Sequence, residues 1–169
     1  LYILKSQGLY RRAKILTKDK KIEYMKMTAA KKCIEKRNDL SFIERLIELV
    51  SLKKMGITRM EEKMDADESE ALLLVYDDYD RYVKKEGYID FDDMILKCRS
   101  LFEKDPGCLE SWQRKYRYIQ IDEMQDINRI QYDTVRALAG DSANIFGVGD
   151  DDQAIYGFRG AEPGMLQHF

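Results

Sequence analysis

The sequence has little cysteine and histidine, and these shortages narrow the kinds of site it can form. Its three cysteines have no C-x-x-C spacing, which argues against a disulfide framework and a structural zinc site and fits a reducing compartment. The single histidine, His168, stands one residue before the last, and we expect it to be solvent exposed rather than catalytic. The three cysteines are predicted to be small core residues.

Long apolar runs are also missing. No run approaches the roughly 18–20 residues that a membrane span requires, so we expect no span. The first residues lack the apolar region of a signal peptide. The pattern G-x-x-x-x-G-K-[ST], which cradles phosphates, does not occur in the sequence. Because the sequence also opens without Met, we expect a fragment of a longer protein.

Charge is spread unevenly along the chain. Residues 1–64 contain 17 Lys and Arg against 8 Asp and Glu, whereas residues 65–169 contain 12 against 23. A basic half joined to an acidic half suggests that one side of the protein faces a polyanion and that the other side holds a cation site. The simpler alternative is a set of solvated helix faces.

Apolar side chains at helical spacing predict a mostly helical chain up to residue 114. One helix is marked by a capping box at Ser41 and Glu44, an apolar stripe that includes Leu40, and a stop at Gly56. Other helices are predicted over residues 19–37, 68–86, 91–103 and 128–139, the last capped by Asn128 and stopped by Gly140, with a short helix at Trp112 and a final one from Pro163. Residues 1–17 are predicted to be partly helical and residues 57–68 to form a loop.

Three aspartates follow Tyr88 and Ile89. Asp90 is predicted to cap the helix over residues 91–103, with Asp93 in its first turn. A metal site formed by Asp90, Asp92 and Asp93 is the alternative.

Two short apolar runs, residues 117–122 and 144–148, predict strands on either side of the helix over residues 128–139. A strand, a helix and a second strand form a βαβ crossover, so these strands should be parallel. The first run ends at Asp122 and Glu123, and the second is followed by Asp150. In open α/β sheets, ligands bind at the carboxyl ends of the strands. An aspartate there can hold Mg²⁺, and a neighbouring carboxylate can activate water. A solvated loop is the alternative.

Two longer patterns carry a resemblance to a known family. Residues 121–126 read IDEMQD and residues 148–161 read VGDDDQAIYGFRGA. Together with the intervening helix they resemble motifs II and III of the UvrD/Rep/PcrA-type superfamily 1 DNA helicases, and IDFDDMIL resembles the helix start before motif II. The resemblance implies an α/β fold of the RecA-like P-loop NTPase type. This fragment of it would be mostly α-helical with a small two-strand parallel βαβ unit.

The resemblance implies roles for the matching residues at the nucleotide. Asp122 would coordinate Mg²⁺, and Glu123 would be the general base that activates water. Gln153 would contact the γ-phosphate of ATP and report its loss to the DNA site. Gln125 would lie at the nucleotide site and, with Asp126, would couple it to motif III.

The resemblance assigns the rest of motif III to DNA. Phe158 would stack on a base of single-stranded DNA, Tyr156 is a second aromatic candidate, and Arg159 would bind phosphate or tie the motif to the nucleotide site. Such stacking contributes roughly 1–3 kcal/mol per base. The alternative, that both aromatics are core residues, fits poorly with the flanking Gly157 and Gly160.

The resemblance also implies domains and partners. Residues 1–114 would be a helical insertion subdomain that faces DNA, and residues 115–169 a partial RecA-like ATPase core. ATP and Mg²⁺ would be the cofactors, and single-stranded and duplex DNA the partners, with other DNA repair or replication proteins beside them. The location would be cytoplasmic and nucleoid-associated. Phosphate contacts would come from Arg11, Arg12, Lys14, Lys18, Lys20, Lys21, Lys31, Lys32, Lys36 and Arg37, although solvated lysines are the simpler interpretation.

The implied function is ATP-dependent 3′–5′ translocation on single-stranded DNA and duplex unwinding. One alternative is a nucleic-acid-binding or partner-docking module without ATPase activity. Another is a stand-alone Mg²⁺-dependent phosphohydrolase or nuclease that uses Asp122, Glu123 and Asp150. Because the sequence contains neither the phosphate loop nor a second RecA-like domain, we expect the fragment alone not to unwind DNA.

Overall fold

The computed structural model describes residues 1–32, 34–57, 64–141 and 144–150. Its chain divides into two compact units. We call residues 8–94 the helical unit, and residues 1–7 together with residues 95–169 the sheet unit. The domain boundary implied after residue 114 is drawn from the resemblance and stays a prediction.

Helices and a short strand pair form the described part of the helical unit. The first helix of the chain, α1 (Tyr2–Ser6), belongs to the sheet unit. The elements of the helical unit are β1 (Lys14–Ile15), α2 (Lys18–Lys31), a 3₁₀ turn (Glu35–Asn38), α3 (Leu40–Lys54), α4 (Ala66–Lys85) and β2 (Tyr88–Ile89). β1 and β2 pair in parallel, with Lys14 opposite Tyr88 and Ile15 opposite Ile89. The sequence does not predict this pair, because two-residue strands are too short to show an alternating pattern.

The apolar faces of α2, α3 and α4 pack into one core. Its most deeply buried side chains include Met25, Ile43, Leu46, Leu49, Val75 and Tyr79. Burial of these side chains at helical spacing confirms the amphipathic pattern of the sequence. Gly56 has a φ angle of +67° after α3, which confirms the predicted stop, and Gly87 has a φ angle of +68° directly after the predicted end of α4 at residue 86.

α3 begins at a different cap from the one predicted. The Asp39 carboxylate accepts a hydrogen bond from the Ser41 backbone N–H at 2.9 Å, so Asp39 rather than Ser41 is the N-cap. This shift makes Leu40 the first helical residue and leaves it 49% exposed, outside the core. Glu44 forms an ion pair with Lys18. The predicted capping box was wrong because aspartate caps equally well and stands two residues earlier.

The ends of α2 and α4 also differ from the prediction. α2 stops at Lys31 rather than at residue 37, and the Ile34 N–H closes it by bonding to the Ala29 carbonyl at 3.0 Å. α4 starts at Ala66 rather than at residue 68, because Asp65 forms a capping box with Glu68. Of the predicted loop, residues 58–63 lie outside the described residues.

A parallel strand pair marks the sheet unit. Its elements are α1, α5 (Phe91–Lys104, which begins in the helical unit), α6 (Pro106–Lys115), β3 (Tyr118–Ile121), a 3₁₀ turn (Met124–Asp126), α7 (Arg129–Ala139) and β4 (Asn144–Gly147). β3 and β4 are parallel, with Tyr118 opposite Asn144 and Ile121 opposite Gly147. This register confirms the predicted βαβ crossover.

The crossover helix α7 has the predicted ends. Asn128 caps it in a capping box with Gln131, and Gly140 stops it with a φ angle of +62°. The predicted helix from Pro163 lies outside the described residues.

The sheet unit has a small core formed by side chains of α5 and α6. It contains Cys98, Phe102, Cys108 and Trp112. Burial of both cysteines confirms their predicted place in the core, while Cys33 lies outside the described residues. Within the described ranges, no helix is long and apolar enough to cross a membrane.

Candidate functional site

Hydrogen bonding between β3 and β4 continues past both strand ends. The Val148 N–H donates to the Ile121 carbonyl at 2.8 Å, and the Met124 N–H donates to the Val148 carbonyl at 2.9 Å. The two carboxyl ends therefore stay together as the chain leaves the sheet. Asp122 and Glu123 lie in the turn that these bonds hold against the segment after β4.

Glu123 adopts a backbone conformation that is uncommon for a side chain with a Cβ. Its φ angle is +52°, in the left-handed region. The Asp122 carboxylate accepts a hydrogen bond from the Glu123 N–H at 3.0 Å, and a 3₁₀ turn follows directly. Both carboxylates are solvent exposed at the sheet edge. Such an outlier, held by neighbouring bonds, is typical of sites where geometry matters.

Gln125 connects the two strand ends through its side-chain amide. The residue is buried, with 2% of its surface exposed. Its Nε2 donates to Glu123 Oε2 at 2.6 Å, and its Oε1 accepts from the Asp150 backbone N–H at 3.0 Å. One amide group thus holds the Glu123 carboxylate at one end and the start of the segment after β4 at the other.

Two glycines after and within β4 allow this close approach. A Cβ on Gly149 would lie 2.7 Å from Gln125 Oε1, and one on Gly147 would collide with the sulfur of the buried Met124. Real Cβ atoms do not approach other atoms so closely, so a side chain here would push the segment away from the turn. Neither glycine was predicted from the sequence, although the G-V-G spacing after an apolar run was a readable signal.

Asp126 follows in the same 3₁₀ turn. Its Oδ1 atom is buried and has no hydrogen-bond partner within the described part of the chain. A buried acceptor normally has a partner, so this oxygen is available to a donor from elsewhere.

The structure brings together only some of the residues predicted for the site. Asp122, Glu123 and Gln125 lie within one turn, and the segment that starts at Asp150 joins them. Gln153, Tyr156, Phe158 and Arg159 all lie outside the described residues. The roles predicted for these four residues at the nucleotide and at DNA therefore stay predictions.

Oxygen ligands at this edge suit Mg²⁺. In the described ranges, no group of three or more His, Cys, Asp or Glu side chains is placed to hold a metal ion by itself. Mg²⁺ typically keeps several waters and is bound through one or two carboxylates plus substrate phosphates. The exposed Asp122 carboxylate fits that requirement.

Asp90 in the helical unit belongs to a second cluster of charges. Its Oδ1 accepts from the Asp93 N–H at 2.8 Å, which confirms the predicted helix cap. Its Oδ2 accepts from Lys54 Nζ and from Tyr79 Oη, both at 2.8 Å, and Lys21 Nζ lies 3.5 Å away. Ammonium groups thus occupy the place that the alternative metal site would need. These partners were not predicted from the sequence, because they are distant from Asp90 in the chain.

The electrostatics of this cluster favour the charged form of Asp90. Burial raises the pKa of Asp90, but the Lys21 and Lys54 ammonium groups outweigh burial and lower that pKa to about 2. Burial and the Asp90 charge raise the pKa of Tyr79, which therefore stays a protonated donor. Burial and the same charge also raise the pKa of Asp92. The cluster is a buried ion-pair network with a structural role.

A parallel βαβ unit with a carboxylate pair after the first strand and a glycine-flanked segment after the second defines an α/β protein, and the family to which it belongs has the P-loop NTPase fold. The chain belongs to the UvrD/REP helicase N-terminal domain family, whose model matches residues 2–169.

Three relatives illustrate the similarity. A probable DNA helicase II homolog of Rickettsia felis is 36% identical over 167 residues, which cover 96% of the chain and 25% of that protein. The putative ATP-dependent DNA helicase YjcD of Bacillus subtilis is 45% identical over 95 residues, covering 56% of the chain and 12% of that protein. The ATP-dependent DNA helicase PcrA of Staphylococcus aureus is 45% identical over 94 residues, covering 56% and 13%. The chain spans between about an eighth and a quarter of their lengths.

Proposed function

We propose that the chain is the part of an ATP-dependent DNA helicase that links ATP hydrolysis to movement along single-stranded DNA. The family and the names of the relatives support a DNA helicase. The observation that carries the proposal is the Gln125 amide, which joins the Glu123 carboxylate to the backbone of Asp150. A change at either end is transmitted to the other through one rigid group.

On the nucleotide side, Asp122 is proposed to hold Mg²⁺ and Glu123 to act as the general base. Bound Mg²⁺ supplies charge neutralisation at the phosphates. The Glu123 carboxylate, fixed by Gln125 at 2.6 Å, accepts a proton from the water that attacks the γ-phosphate. Gln153 is proposed to contact the γ-phosphate beside Gln125.

On the DNA side, residues after Asp150 are proposed to carry the response to hydrolysis. Phe158 and Tyr156 offer rings for base stacking, and Arg159 offers a cation for phosphate. Because Gln125 Oε1 holds the Asp150 N–H, loss of the γ-phosphate at Gln153 would shift a segment anchored at that bond. Single-stranded and duplex DNA are the proposed partners, in the cytoplasm at the nucleoid.

Replacing Glu123 by Gln in the full-length protein tests the general-base assignment. The Gln side chain keeps the size of Glu but cannot take up the proton, so kcat for ATP hydrolysis should fall by about 10²- to 10⁴-fold. ATP binding, measured by titration of a fluorescent ATP analogue, should persist. Turnover within a few-fold of wild type would refute the role of Glu123.

A further inference from the structure

The turn after β3 is exposed at its first two residues and buried at the next two. Asp122 and Glu123 are solvent exposed, whereas Met124 and Gln125 are 0% and 2% exposed. Gln125 makes two hydrogen bonds from its buried position. The thioether of Met124 is only a weak acceptor, so the burial of Met124 acts through packing.

Met124 packs against the backbone of a glycine in β4. A Cβ on Gly147 would overlap the Met124 sulfur and would lie 3.8 Å from the Cγ and Cε atoms of the same side chain. Gly147 is the last residue of β4 and pairs with Ile121, the last residue of β3. The sulfur therefore rests on the β4 backbone at the level where the turn leaves the sheet.

This contact, rather than the backbone conformation, excludes a side chain at Gly147. The φ angle of Gly147 lies outside the left-handed region, so any L-residue can adopt its backbone conformation. The obstacle is the Met124 sulfur. One methyl group added at residue 147 would thus displace Met124 without straining the strand itself.

The position of Met124 is linked to that of Glu123 through the backbone. Glu123 has φ and ψ angles of +52° and +46°, and the 3₁₀ turn begins at Met124 directly after it. The Met124 N–H donates to the Val148 carbonyl at 2.9 Å, and the Asp126 N–H donates to the Glu123 carbonyl at 2.9 Å. A left-handed conformation in a residue with a Cβ persists only where its surroundings fix it. The buried Met124 side chain fixes the residue that follows the outlier.

We propose that Met124 is a positioning residue for Glu123, and that its contact with Gly147 sets the backbone from which the Glu123 carboxylate projects. This inference rests on the proposed function, which makes Glu123 the general base. A general base works only within hydrogen-bond reach of the proton it takes up. Because a misplacement of about 1 Å can lower the rate 10²-fold, packing beneath the turn bears directly on hydrolysis.

Adding one methyl group at residue 147 tests the contact. In the full-length protein carrying Gly147→Ala, the Met124 side chain has to move, and kcat for ATP hydrolysis should fall by about 10- to 100-fold. Affinity for a fluorescent ATP analogue should stay near that of wild type, because the change lies beneath the turn. A loss of ATP affinity that accounts for the whole loss of activity would overturn the inference.

Met124→Val is the matched compensating change. Valine lacks the sulfur but keeps carbons at the Cγ position, which lies at an ordinary contact distance from the added Cβ. Combined with Gly147→Ala it roughly conserves the packed volume, so the double variant should recover most of kcat. Met124→Val alone leaves the space of the sulfur empty and should also lower kcat. It carries the test if Gly147→Ala alone does not fold.

Gly149→Ala is the control for this compensation. Its Cβ would meet Gln125 Oε1 at 2.7 Å and the Met124 backbone nitrogen at 3.2 Å, but not the sulfur. It should lower kcat as well, and Met124→Val should not restore it. Restoration in both glycine variants would show that Met124→Val acts independently of Gly147, and would overturn the inference.

Combining Gly147→Ala with Glu123→Gln tests whether the loss passes through Glu123. Single-turnover hydrolysis of radiolabelled ATP measures the slow rates of these variants. If Met124 acts by positioning the Glu123 carboxylate, Gly147→Ala should add little loss once that carboxylate is gone. An equal fold-loss in both backgrounds would show a general structural role and contradict the inference.

Failure of this inference and failure of the proposed function give different results. If Glu123→Gln hydrolyses ATP at nearly the wild-type rate, the general-base assignment fails whatever happens at residue 147. If Glu123→Gln abolishes turnover while Gly147→Ala keeps the wild-type kcat, only the positioning role of Met124 is overturned. Losses in both single variants, recovery in their combination and no added loss with Glu123→Gln support it.

Discussion

The side-chain amide of Gln125 makes two hydrogen bonds, one through its nitrogen and one through its oxygen, to different partners. Its nitrogen fixes the Glu123 carboxylate, and its oxygen fixes the Asp150 N–H. Glu123 has a left-handed backbone conformation, so its side-chain direction depends on such bonds. Burial of Gln125 removes competing water and makes both bonds stronger than they would be at the surface.

Replacing Gln125 by Glu tests the two hydrogen bonds separately. The Glu side chain can still accept from the Asp150 N–H, but it loses the donor to Glu123 and places a second carboxylate beside it. Because displacing Glu123, the proposed general base, would cost rate, we expect kcat for ATP hydrolysis to fall by about 10- to 100-fold in the full-length protein. Steady-state kinetics and an ATP-binding titration check this expectation.

Gln113→Glu is the matched control for Gln125→Glu. Gln113 also donates through Nε2, to the Ala137 carbonyl at 2.8 Å, but it does not contact the turn that holds Glu123. Its substitution should lower stability and leave kcat unchanged. Equal losses of kcat in the two variants would show that Gln125 acts only through folding.

Among elements, the Asp90 network joins more of the helical unit than any single apolar pair. Asp90 caps α5 and contacts Lys21 of α2, Lys54 of α3 and Tyr79 of α4. Lys54 also contacts Asp93 at 2.9 Å. A buried charge is tolerated only when it is paired, so removing one member leaves the others without compensation.

Asp90→Asn should destabilise the protein by about 3–5 kcal/mol at neutral pH. Asn retains the cap oxygen, so the loss reports the ion pairs rather than the helix start. Asp92→Asn is the control: because burial and Asp90 already raise the pKa of Asp92, its neutral replacement should cost less than about 1 kcal/mol. Urea unfolding measures both, and similar losses in the two variants would contradict the network.

The same network predicts a dependence of stability on pH. The folded pKa of Asp90, about 2, lies below the ordinary value of about 3.9, so its contribution is fully present above pH 4–5 and is lost as pH falls toward 2. This lowering of the Asp90 pKa corresponds to about 2–3 kcal/mol of folding stability. The stability difference between wild type and Asp90→Asn should therefore shrink over that range. A difference that stays constant from pH 5 to pH 2.5 would contradict the assignment.

For the whole molecule, local chemistry was readable from the sequence and distant contacts were not. The Asn128 cap and the Asp90 cap depend on neighbouring residues and were predicted. The βαβ crossover joins distant residues, but the order strand, helix, strand predicted it. Lys54 stands 36 residues before Asp90, and Asp150 stands 25 residues after Gln125. No local sequence pattern predicts either contact. The β1–β2 pair joins residues more than seventy positions apart for the same reason.

The resemblance to helicase motifs supplied the roles of the site residues, and geometry supplied one way to connect them. Sequence placed Asp122 and Glu123 at a strand end, which the structure reproduces. It left the phosphate contacts as a set of ten basic side chains, because ion pairing is decided by the packing of α2 against α3 and α4. Only the fold shows that Lys18 and Lys36 form ion pairs.

Strand separation by the full-length protein is the most direct measurement. Partial duplexes with a 3′ or a 5′ single-stranded tail are incubated with protein, Mg²⁺ and ATP, and the displaced strand is followed by fluorescence. We predict ATP-dependent separation of the 3′-tailed duplex, little separation of the 5′-tailed one, and none with Glu123→Gln. Strand separation that does not need ATP, or Mg²⁺-dependent cleavage of the DNA, would contradict the proposed function.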